Sequence, residues 1–116
     1  MNNPEPFTEV TDNYERQQGG ERWLRRIDDK CWVSVLHRLT GFGYMEWETA
    51  IVFLIEEGSR PKRWGSDDRD CLIIRGDWRE ELATMPKEHL RDWYAAHIDG
   101  NRNSMETIIH EARQAA

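Results

Sequence analysis

Glu46 and Glu48 stand two residues apart at the head of the stretch MEWETAIVFLIEEG, Met45 to Gly58. In an extended chain, alternate side chains leave the same face. Two carboxylates placed that way can share a proton or clamp a cation. The plainer reading is favoured: charges at a strand end that guard it against edge-to-edge association.

A second group is cationic. Arg60, Lys62, Arg63 and Trp64 place three positive charges beside an indole in a polar stretch, GSRPKRWGSDDR. Arginine with an aromatic is the chemistry of phosphate contact plus base stacking, and equally of a protein interface anchor. Arg22, Arg25 and Arg26 gather around Trp23 in the same style.

Other chemistries find less support. The histidines and cysteines show neither zinc-finger spacing nor HExxH, and Glu106 with His110 would supply at most half a metal site. The run SDDRD, Ser66 to Asp70, lacks the alternation and glycine of a calcium loop. There is no GxSxG. Cys31, beside Trp32 in an apolar stripe, reads as a core thiol and not a nucleophile. Gly41 and Gly43 in TGFGYM lack the third glycine and the Lys-Ser/Thr of phosphate cradles, so they serve a tight connection. Arg75-Gly76-Asp77 spells an adhesion tripeptide but reads as a strand end before a helix cap. No metal or cofactor is expected.

Composition narrows the classes. The chain has 116 residues, a formal net charge of -6, 38% hydrophobic and 33% charged residues. That length suits one domain with one core. The acidic balance favours solubility and opposes non-specific binding to nucleic acid. No apolar run reaches the roughly 18 residues of a membrane span. The start, MNNPEPFTEV, lacks the basic and apolar regions of a secretory signal. A cytoplasmic protein with reduced Cys31 and Cys71 is therefore expected. Six tryptophans offset the modest aliphatic content.

The elements follow from periodicity. Residues 1–20 read as a flexible N-terminal tail, and 21–116 as a single globular domain. From Glu21 to Leu39, Leu24, Ile27, Cys31 and Val35 recur at helical spacing, with Asp28-Asp29 as a break. An N-terminal helix is expected there. Over 44–56, strand and helix compete. As a strand, Met45, Trp47, Thr49, Ile51, Phe53 and Ile55 share one face; as a helix, Phe53 falls among glutamates. The strand is preferred. A second strand over 70–75 completes a two-stranded antiparallel ribbon. Asp77 to Glu80 resembles a capping box, Pro86 to Ile98 and Asn103 to Ala112 carry helical stripes, and so three C-terminal helices are expected. The fold class is α+β.

The expected function is that of a small acidic, non-enzymatic intracellular protein acting through protein–protein interaction, regulatory or inhibitory. Its partner would be a larger protein, one version being a nucleic-acid-binding partner that it blocks. The contact residues would be Arg60, Lys62, Arg63 and Trp64, with Glu46 and Glu48 as an acidic counterpart. The alternative is a nucleic-acid-binding accessory protein using the basic loop 60–64. A homodimer stays open, because a two-stranded ribbon can complete its sheet with a second copy.

Overall fold

Every residue from Cys31 to Leu36 is buried, and that single run explains much of the architecture. A strand covered on both faces shows no alternation, and Trp, Val and Leu side chains suit it. In the computed structural model, which describes residues 6–53, 60–61 and 70–115, this run lies in the middle strand of a five-stranded antiparallel sheet. The strands are β1 (Thr8–Glu9), β2 (Glu21–Asp28), β3 (Cys31–Leu39), β4 (Met45–Phe53) and β5 (Cys71–Arg75). They pair in sequence order as a simple meander. A short helix α1 (Asn13–Gln17) separates β1 from β2, and α2 (Lys87–Ile98) and α3 (Arg102–Ala115) follow the sheet.

The expected N-terminal helix over 21–39 is therefore replaced by a hairpin. Leu24, Ile27, Cys31 and Val35 mimic a helical stripe only because a turn falls between them. Asp28 accepts the Lys30 amide at 2.8 Å and closes that turn. The two-stranded ribbon is likewise corrected. Residues 45–53 and 71–75 do pair antiparallel, with Ile51 opposite Leu72, but they are two strands of five. Three C-terminal helices become two. At the supposed capping box, Asp77 turns its carboxylate onto Arg79, and residues 79–82 form turns followed by a bend at 83–84. Within 1–20, Thr8 and Glu9 pair with Leu24 and Trp23, and residues 13–17 are helical.

One sheet face packs against the helices. Ile27, Cys31, Val33, Ile51 and Ile74 meet Leu82, Met85, Leu90, Trp93 and Ala112. Trp47, Thr49, Ile51 and Phe53 share that face, as alternation requires. Leu90, Trp93 and Ala96 are the buried stripe of α2. Trp78 and Trp93 meet edge-on with centroids 5.2 Å apart, and His97 stacks on Trp93 at 5.5 Å. The opposite sheet face is also apolar: Leu24, Trp32, Leu36, Ala50 and Val52 are all buried. Pro61, itself buried, meets that side by accepting a 2.7 Å bond from Arg22.

Backbone close approaches fix the sheet ends. A Cβ at Gly20 would sit 2.1 Å from the His37 carbonyl oxygen, so only glycine fits where the chain enters β2. Gly76, at φ 108°, donates its amide to the Trp47 carbonyl and accepts at its own carbonyl from the Thr49 hydroxyl, both at 2.8 Å. That bend sends the chain from β5 across the helix-side face.

Candidate functional site

Among the described residues, two places gather exposed or charged side chains into an arrangement with chemical meaning. The first is the end of the β3–β4 hairpin. Thr40 donates its amide to Tyr44 O and accepts from Gly43 N, which fixes a tight turn. The turn holds Phe42 outward, 88% exposed, with its ring stacked on Tyr44 at 6.4 Å. Leu39 and Tyr44 beside it are exposed as well. At the base of this hairpin, on the opposite sheet face, Arg38 reaches both Glu46 at 3.4 Å and Glu48 at 3.7 Å. The carboxylate pair thus shares one face, and a guanidinium lies between the two acids.

The second place lies on the helix-side face. β2 supplies Glu21 and Trp23, β3 supplies His37, and β4 supplies Trp47, because alternation and register set these side by side. His37 stacks flat on Trp47, with centroids 4.3 Å apart, and its Nδ1 lies 3.0 Å from Glu21. The turn after Gly76 then lays Arg79 across both indoles, 4.5 Å from the Trp23 centroid and 4.9 Å from that of Trp47. Asp77 grips the other edge of the guanidinium, accepting from Nε at 2.9 Å and from the terminal nitrogen at 2.6 Å. Paired this way, the Asp77 carboxyl sits below its ordinary range, chiefly through the hydrogen bond from Arg79. Arg79 is held above its ordinary value by the same bond, with Glu21 and Glu9 adding negative potential. A cavity of about 510 Å³ opens beside it, lined by Phe7, Trp23, Asp77, Arg79, Glu80 and Glu81 among others.

Arg25 secures this second place from below. Its side chain is fully buried, and one terminal nitrogen donates to the carbonyls of Leu82 and Met85, each at 2.9 Å. The turn that carries Asp77 to Glu81 is thereby tied to β2. Burial pulls the Arg25 guanidinium down to about 10, which still leaves it charged at neutral pH. The same surroundings push the Cys31 thiol up to about 12, chiefly by burial, so it is protonated and a poor nucleophile. A further cavity of about 530 Å³ borders the start of α2, lined by Lys30, Phe53, Lys87, Glu88 and Arg91. Its cations are largely matched: Lys87 meets Asp28 at 3.1 Å and Arg91 pairs with Asp70.

The residues singled out in the sequence separate in space. Arg60 is exposed, whereas Lys62, Arg63 and Trp64 lie outside the described residues. The cluster Arg22, Arg25, Arg26 around Trp23 divides between the two faces of β2, with Arg25 in the core. Glu106 and His110 are both exposed on α3, and no group of three metal-ligating side chains occurs among the described residues. Sequence reasoning missed Phe42, Tyr44, Arg79 and Asp77. Phe42 between two glycines was the available signal, since an aromatic at a tight turn cannot fold back into a core. Arg79 had none beyond the abundance of tryptophan.

Comparison with family models, with curated proteins and with solved structures gives no match to this chain. The functional reading therefore rests on the site geometry. No helix among the described residues is long and apolar enough to cross a membrane.

Proposed function

We propose that this protein acts through protein–protein interaction, as a small regulatory or inhibitory module, and that the β3–β4 hairpin end meets the partner. The observation that carries the reading is Phe42, 88% exposed on a turn whose backbone is hydrogen-bonded in place. A large aromatic presented to water on a fixed support matches the anchors that dominate interfaces. Tyr44 and Leu39 widen the apolar centre, and Arg38, Glu46 and Glu48 at the hairpin base supply a polar rim. The net charge of -6 favours a partner with a basic surface, which includes nucleic-acid-binding proteins.

The test is affinity capture from host extract with the native chain and a Phe42→Ala/Tyr44→Ala variant. Both residues are exposed, so the variant should keep the native melting temperature within a few degrees. The expected result is a partner retained by the native chain and lost by the variant. An equal capture by both would remove the hairpin from the interface. Loss of capture in an Arg60→Ala variant instead, with a salt-dependent shift of single-stranded nucleic acid, would favour the basic loop.

A further inference from the structure

We propose that the cavity beside Trp23 binds an organic cation, a guanidinium or alkylammonium group. Arg79 shows what the site accepts: a guanidinium lies over Trp23 and Trp47 while Asp77 holds it edge-on. Aromatic faces joined to carboxylates are the chemistry that selects such cations over neutral or anionic groups.

The charge around the cavity is not used up by Arg79. Asp77 neutralises that guanidinium, leaving Glu80 and Glu81 on the cavity wall. Glu81 carries a carboxylate oxygen that is buried without a hydrogen-bond partner. An unpaired buried acceptor is costly, and a donor cation relieves that cost. A volume of about 510 Å³ takes an arginine-sized side chain with room for its attached backbone. The cation binds next to Arg79 or in its place. In both cases Arg79 is a like charge that opposes the ligand.

The inference needs only the cavity and is independent of the hairpin. It is tested on the full-length chain by following the Trp23 indole signal in nitrogen–proton spectra. The probes are agmatine, a blocked Gly-Arg-Gly peptide, its citrulline counterpart and inorganic phosphate. The two cationic probes should shift the signal saturably, and citrulline and phosphate should not. Glu80→Gln/Glu81→Gln should weaken cation binding by about fivefold or more, and Arg79→Ala should strengthen it. Glu80→Gln alone, at an exposed side chain, keeps the test alive if the double variant loses its native spectrum. Tighter binding of the peptide points to a partner's arginine, and tighter binding of agmatine to a free small cation; either supports the site. Absence of a saturable shift with both cations overturns it. So does the reverse pattern, in which phosphate binds and folded Arg79→Ala loses it, because that describes an anion site anchored on Arg79.

Discussion

Asp77 spends its carboxylate on a neighbour two residues away, and the consequence reaches well beyond the pair. Without that grip Arg79 would be free to leave the two tryptophans, since a cation–π contact at a partly exposed site is worth only about 0.5–1 kcal/mol. The pair also leaves a mark on acid stability. The Asp77 carboxyl has a folded value below its ordinary 3.8 because Arg79 hydrogen-bonds its charged form. A lowered folded value stabilises the native state above the ordinary value, and the gain disappears as pH falls through the depressed one. Native protein should therefore lose stability on acidification below about pH 4, and Asp77→Asn should flatten that limb in denaturant titrations across the range. An identical acid limb in the variant would show that the pair adds nothing.

At the scale of elements, Arg25 joins two that the sheet alone would leave apart. It holds the turn at Leu82 and Met85 onto β2 through two charge-assisted bonds in a dry setting. Arg25→Ala leaves both carbonyls without that donor, and should cost about 3 kcal/mol or more in urea unfolding. A smaller loss than about 1 kcal/mol would mean that the turn is held by Leu82 and Met85 packing instead. The elements also differ in how plainly the sequence announced them. β4 was readable because Trp47, Thr49, Ile51 and Phe53 alternate with charged residues at its start. α2 and α3 were readable from Leu90, Trp93 and Ile98, and from Met105, Ile108 and Ala112. β2 and β3 were not, because burial on both faces of β3 erases period 2, and Leu24, Ile27 and Cys31 fall at helical spacing across a turn. The aromatic cluster was illegible for a related reason: Trp23, Trp47 and Arg79 meet only through register and a glycine bend, neither of which shows in local spacing.

For the whole molecule, the order of pairing matters as much as the pairing. Among the described residues, each strand bonds only to its neighbours in sequence, so β1 to β4 can assemble from one continuous stretch. Local pairing of this kind keeps contact order low for a β protein and favours fast folding. The two edges are unequal: β1 offers only Thr8 and Glu9, a short edge that discourages strand addition. Among the described residues, most of the layer that covers Ile27, Val33 and Ile51 comes from Leu82, Met85, α2 and α3, after the last strand, with Phe7 and Trp78 packed beside it. During synthesis the sheet strands thus emerge before most of their cover, and the nascent chain carries an apolar face until α2 and α3 follow. A chain stopped at Met85 should form a sheet that binds a hydrophobic dye and self-associates in sedimentation, whereas the full chain should do neither. A monodisperse, dye-negative truncation would show that the sheet needs no cover. If the expectation holds, the helices act late, as the step that commits a waiting sheet to one soluble form, and slowing their arrival would be the surest way to make this protein misassemble.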